Sequence, residues 1–133
     1  MERKEPVASQ EEYDKYVIRY ADVPAIELTS SIKAQIISAE NITLSFASAE
    51  PNASLPSHRH ENEQMLIVQE GVVDFIIEGK RYRVEKGDVI VLPSNIEHGA
   101  YFIDGDARII DIFSPPRQDF VARLEEVKKN QRK

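Results

Sequence analysis

The strongest constraint on the fold is punctuation. From Ile32 onward, short β-rich runs are broken by turn residues about every ten positions. The runs fall near residues 33–38, 42–48, 65–69, 72–78, 81–85, 89–92, 98–103 and 107–113. Between them stand Glu40-Asn41, Glu50-Pro51-Asn52, Glu70-Gly71, Glu78-Gly79-Lys80, Lys86-Gly87-Asp88, Pro93-Ser94-Asn95 and Asp104-Gly105-Asp106. Strands this short and this regularly spaced predict an all-β antiparallel sandwich or barrel. The stretch Val72 to Val84 predicts a hairpin turning at Gly79, where a positive φ carries no steric cost. After Ser114-Pro115-Pro116 the period changes. Phe120, Val121, Leu124 and Val127 recur at helical spacing, so a short C-terminal α-helix is expected. The double proline stops the last strand and opens that helix.

The first 20 or so residues are charged and carry Pro6, which predicts a loose arm with one helical turn near Glu11 to Tyr16. The expected organisation is an N-terminal arm over residues 1–30, a barrel over 31–116, and a helix over 117–133. That helix packs on the barrel or on a partner subunit. At 133 residues the chain is one domain. Its 41% hydrophobic and 30% charged residues exclude a disordered or collagen-like chain.

The absence of cysteine removes thiol catalysis and thiolate metal sites, and fits the cytosol. The net charge of −6 argues against a nucleic-acid partner. Residues 117–133 hold six basic and three acidic groups, a mixture that reads as a solvated helix face. Apolar runs such as Met65-Leu66-Ile67-Val68 stop at four residues, so no membrane-spanning helix is expected. The opening MERKEPVASQ has no apolar core of a secretory signal, so a cytoplasmic location is expected.

The three histidines of the chain are His58, His60 and His98. On a strand, residues two apart share a face, so the His58 and His60 imidazoles can converge. Gln64 has the same parity, and an antiparallel fold can bring His98 across to the same point. Three neutral imidazoles and an amide oxygen suit a divalent transition metal (Zn, Ni, Fe, Mn or Cu) better than Ca or Mg. Glu63 is the competing ligand. Its parity is wrong for an unbroken strand, although a bulge would correct it.

From His58 the sequence reads H-R-H-E-N-E-Q-M-L-I-V-Q-E-G, and from Gly87 it reads G-D-V-I-V-L-P-S-N-I-E-H-G-A-Y-F. These strings resemble the two signature motifs of the cupin superfamily. Gln64 stands in the usual Glu place and Gly71 in the Gly place of the first motif. Gly87, Pro93 and His98 match the second. Asn95 replaces its inner Gly, an easy exchange because Asn tolerates the left-handed region. Phe102 replaces its final Asn. The resemblance covers roughly residues 32–115. It implies a single-domain jelly-roll barrel with a metal inside, and a homodimer, since cupins are commonly dimers. A neutral Gln ligand would leave a divalent site near +2. That suits an anionic substrate that brings its own oxygens.

The last strand places Ala107, Ile109, Asp111 and Phe113 on one face and Arg108, Ile110 and Ile112 on the other. Either Asp111 is a functional carboxylate inside the barrel, or this face looks outward and Arg108 is buried instead. The string D-I-F-S-P-P-R resembles the end of the small pectin- and alginate-catabolism cupins that open 4,5-unsaturated monouronates, which also use a Gln in the first motif. That resemblance implies Asp111, Phe113 and Arg117 as active-site residues. Asp111 would be the proton shuttle, Arg117 the clamp on a small anionic sugar acid, and Phe113 the wall against the sugar. Core packing for Phe113 and a surface position for Arg117 are the plainer readings. The alternatives for function are a metal-dependent dioxygenase or lyase on a small carboxylate, a non-catalytic small-acid sensor, and a structural barrel.

Overall fold

Period-two burial runs through most of the chain. In the computed structural model, which describes residues 2–103 and 105–132, it produces ten strands. They are β1 (Ala25–Thr29), β2 (Ile32–Ser38), β3 (Thr43–Ala49), β4 (Ala53–His58), β5 (Glu63–Glu70), β6 (Val72–Ile77), β7 (Lys80–Glu85), β8 (Val89–Leu92), β9 (His98–Phe102) and β10 (Ala107–Ser114). Helices α1 (Gln10–Tyr16) and α2 (Gln118–Gln131) flank them, with a 3-10 turn at Tyr20–Asp22. Of the turn Asp104-Gly105-Asp106, Asp104 lies outside the described residues.

All pairings are antiparallel, in two sheets ordered β1-β2-β3-β10-β5-β8 and β4-β9-β6-β7. The two inner faces meet in one core, where Leu66, Val68, Val73, Leu92 and Phe102 are almost fully enclosed. Burying a side chain of this kind contributes roughly 1.5–3 kcal/mol. The inward positions of β3 are small or polar: Thr43, Ser45, Ala47 and Ala49. They fill less space than the Leu, Ile and Phe opposite, and the interior keeps a cavity.

Local chemistry fixes the turns. Glu78 and Gly79 join β6 to β7 with φ of 48° and 78°. A two-residue hairpin loop of the I′ type needs positive φ at both positions. Asn95 sits at φ 66°, in the left-handed conformation its place in the second motif requires. Ser9 and Glu12 form a reciprocal capping box at the start of α1, although α1 buries no residue. Helix α2 follows the two prolines, with Asp119 in its first turn and Lys128 and Lys129 in its last, which matches the helix dipole. It buries Phe120 and Leu124 and packs against β1 and β2.

Two strands fall outside the runs expected from sequence. β1 lies within the segment read as an arm and pairs with β2. β4 holds Pro56 and two serines, yet pairs with β9 at the sheet edge. An edge strand tolerates a proline, and the register slips between Leu55 and His58.

Candidate metal centre

The histidines come from three places. His58 ends β4, His98 begins β9 directly opposite it, and His60 lies in the loop that turns toward β5. The strand parity argued for His58 and His60 therefore does not operate, because β4 stops at His58. The loop's return brings His60 back instead. One ring nitrogen from each residue lies within 4.8 Å of the others. The ring centroids are 4.4 to 5.5 Å apart.

Each ring is oriented by a backbone carbonyl. Nδ1 of His58 donates to Pro56 O at 2.9 Å, that of His60 to Asn62 O at 3.0 Å, and that of His98 to Ile96 O at 2.9 Å. A carbonyl only accepts, so each Nδ1 carries a proton, and in the neutral ring Nε2 is left with its lone pair. Outer hydrogen bonds of this kind set the tautomer of metal-binding histidines. Burial, then the charge of Arg117, holds His60 below the usual imidazole range, and burial takes His98 down to about 4. Both are neutral at neutral pH, the form a metal needs.

Gln64 is the second residue of β5 and points inward with Leu66 and Val68, while Glu63 points out and is exposed. The Gln64 amide nitrogen donates to Asp111 Oδ1 at 2.8 Å. That turns Oε1 toward His60 Nε2, 3.1 Å away. With the His60 proton on Nδ1, two lone pairs face each other. A cation shared between them removes that repulsion. The donor set of three imidazole nitrogens and one amide oxygen fits a divalent transition metal. No thiolate or converging carboxylate distinguishes one such metal from another.

Asp111 faces inward on β10, so the buried face of this strand is Ala107, Ile109, Asp111 and Phe113. Burial pushes its carboxyl up to about 7, partly offset by the Gln64 hydrogen bond and by Arg117. Phe113 is 2% exposed, its ring edge-on to His60 and to Phe120 at 5.7 Å in each case. Arg117, just before α2, stacks over Phe120 at 3.9 Å and Phe113 at 4.9 Å. Its Nε and Nη2 fork onto Asp119 at 3.0 and 2.9 Å. That pairing holds the Asp119 carboxyl below its usual range. His58, Gln64, His98, Asp111, Phe113 and Arg117 all line one cavity of about 380 Å³. This is the size of a small-molecule site.

Four supporting residues escaped the sequence reading. Asn62 accepts the His60 proton and donates its side-chain amide to Pro115 O and Pro116 O, tying the histidine loop to the Pro-Pro turn. Thr43 Oγ1 accepts the Arg117 backbone N–H at 3.0 Å. Asp119 holds the Arg117 fork. Ser45 lies opposite Asp111 on β3, and its buried hydroxyl is the one side-chain polar atom among the described residues found enclosed with no hydrogen-bond partner. Only Asn62 left a sequence signal, as a polar residue between two metal-ligand candidates.

Two antiparallel sheets closed around a histidine cluster that could hold a metal define a jelly-roll barrel. The cupin domain profile matches residues 45–113, and the chain belongs to that family. It is 28% identical over 102 residues to the pectin degradation protein KdgF of Dickeya dadantii (strain 3937), covering 75% of this chain and 93% of that one. The structure of KdgF from Halomonas sp. superposes with a TM-score of 0.69 at 27% identity, covering 73% of this chain and 90% of that one. An RmlC-like cupin from Shewanella frigidimarina superposes at 0.73 with 22% identity, covering 79% and 95%, a likeness of fold. Among the described residues no helix is long and apolar enough to cross a membrane.

Proposed function

We propose that this chain is a metal-dependent enzyme of pectin or alginate breakdown that opens the ring of 4,5-unsaturated monouronates. One observation carries the reading. Gln64 joins the histidine cluster to Asp111, so His58, His98, Gln64 and a buried carboxyl line one cavity. The similarity to two KdgF proteins supports the substrate class.

The substrate is a cyclic hemiacetal whose ring oxygen is bonded to a C4=C5 double bond beside the carboxylate. Asp111 takes the proton of the anomeric hydroxyl. The C1–O bond to the ring oxygen breaks, C1 becomes an aldehyde, and the electron pair leaves with the ring oxygen as an enolate. Asp111 returns the proton to C4, giving a linear keto-aldehyde acid. Atoms balance without a co-reactant, so the reaction is an isomerisation. A carboxyl near 7 suits both halves of this transfer at neutral pH.

A divalent metal held by His58, His60, His98 and Gln64 would supply a Lewis acid for the substrate oxygens. Arg117, held by two rings and Asp119, would place its remaining N–H groups against the substrate carboxylate. Phe113 would exclude water from the sugar face.

The test is the ultraviolet absorbance of an unsaturated monouronate over time. Loss faster than buffer, abolished by chelator and restored by added metal, is expected. Asp111→Asn should keep stoichiometric metal and lose turnover. Loss at the buffer rate with metal bound would refute the uronate assignment and leave a small-acid binding cupin.

A further inference from the structure

Apolar side chains, among them Leu55, Leu66, Phe75 and Ile109, make up most of the cavity wall. Apart from the histidines, its charged lining is Asp111, Arg117, Asp119 and Arg123. Three of these are engaged. Asp111 accepts from Gln64 at 2.8 Å, and Arg117 forks onto Asp119 at 3.0 and 2.9 Å. Arg123 makes no hydrogen bond or ion pair among the described residues.

The helix explains why Arg123 stands alone. It follows Asp119 by four positions on α2, the spacing at which an acid and a base ordinarily pair. Asp119 turns back instead, with both carboxylate oxygens on the Arg117 fork. Glu126, three positions beyond Arg123, does not pair with it either. The Arg117–Asp119 pair is close to neutral, so Arg117 can orient an anion but adds little net charge to the cavity. Arg123 is the cation left over. It lines the cavity and is also exposed, which puts it at the opening. The chain carries a net charge of −6, and a cation at the opening offsets the repulsion that an arriving anion meets. The cupin profile match ends at residue 113, so α2 and Arg123 lie beyond what that match covers.

We propose that Arg123 is a substrate-binding residue that receives the carboxylate of a small sugar acid at the cavity opening and sets the preference for anionic over neutral sugars. Arg117 supplies direction and Arg123 supplies charge. The inference rests on the ring-opening reading for the identity of the sugar acid, not for the charge that is selected. Because Arg123 is exposed, its contact belongs at the upper end of the range for solvated ion pairs, about fivefold in affinity.

The experiment compares the full-length parent with Arg123→Gln, Arg123→Lys and Lys129→Gln. Lys129 is exposed on the same helix, carries the same charge and lies outside the cavity lining. Two readouts are taken: kcat and KM for an unsaturated monouronate, and calorimetric binding of galacturonate and of neutral galactose. Arg123→Gln should raise KM and the galacturonate Kd about fivefold, keep kcat within about twofold, and leave galactose binding unmoved. Arg123→Lys keeps the charge and should recover most of the loss. Raising salt from about 20 to about 200 mM should raise KM in the parent, and less so in Arg123→Gln. Lys129→Gln should match the parent throughout. An unchanged KM and galacturonate Kd in Arg123→Gln, an equal shift in Lys129→Gln, a fall in kcat at constant KM, or a parent that binds galacturonate no better than galactose would overturn the proposal. A parent inert toward the monouronate would refute the ring-opening reading alone, and galacturonate binding would then decide for Arg123.

Discussion

Asp111 should make the metal-free protein less stable as pH rises, and Asp111→Asn should remove that loss. The carboxyl is 6% exposed, and burial raises it from an ordinary 3.8 to about 7. A raised folded-state value favours the protonated form. Its stabilising contribution is fully present well below pH 3.8, where both states are protonated, and is lost as pH rises through 7, because the unfolded chain ionises first. About three pKa units at 1.36 kcal/mol each make the loss about 4 kcal/mol above pH 7. Asn fills the same volume, still accepts from Gln64, and cannot ionise. The stability difference, variant minus parent, should grow from near zero at pH 4 to about 4 kcal/mol at pH 8. His60 and His98, held low by burial, add their own pH dependence, but it is common to both proteins and cancels in the difference. Urea unfolding followed by circular dichroism at pH 4, 6 and 8, with chelator present, gives the numbers. A difference that stays within 1 kcal/mol, or a variant less stable than the parent at pH 8, would refute the argument.

Three further outcomes follow from single contacts. Thr43→Val leaves the part-buried Arg117 N–H without an acceptor and should cost about 1–3 kcal/mol in denaturant unfolding. Asn62→Ala removes the side-chain tie from the His60 loop to the Pro-Pro turn and should weaken metal binding about 10–100-fold by calorimetry, as loss of outer support does. Ser45→Ala deletes a hydroxyl that has no partner and should leave stability unchanged or raise it by about 1 kcal/mol, read as a higher urea midpoint.

Much of this molecule is written in local chemistry that survives being read one residue at a time. Gly79 and Asn95 announce their turns because few residues tolerate positive φ. Phe120 and Leu124 announce α2 by their spacing. β4 does not announce itself, because Pro56 and its serines have poor strand propensity and only the pairing with β9 makes them extended. The inward direction of Asp111 was undecidable from β10 alone, since both faces of that strand are mostly apolar. The structure supplies the reason: the outer face is apolar as well. The grouping of the histidines was legible from their spacing, but its cause was not, because a loop's return leaves no periodic trace. Asp119's grip on Arg117 was invisible for the same reason, being a contact two residues along a turn.

The strand made last sits in the middle. β10 lies between β3 and β5, so residues 43–49 and 63–70 gain a shared neighbour only when residues 107–114 join them. During synthesis those two segments wait with open edges, the condition that invites pairing with other chains. The four-stranded sheet can pair without β10, but the six-stranded sheet stays split into β1-β2-β3 and β5-β8 until this strand joins them. Asp111 arrives on that strand. A nascent chain therefore carries its three histidines before it possesses the carboxyl that Gln64 grips.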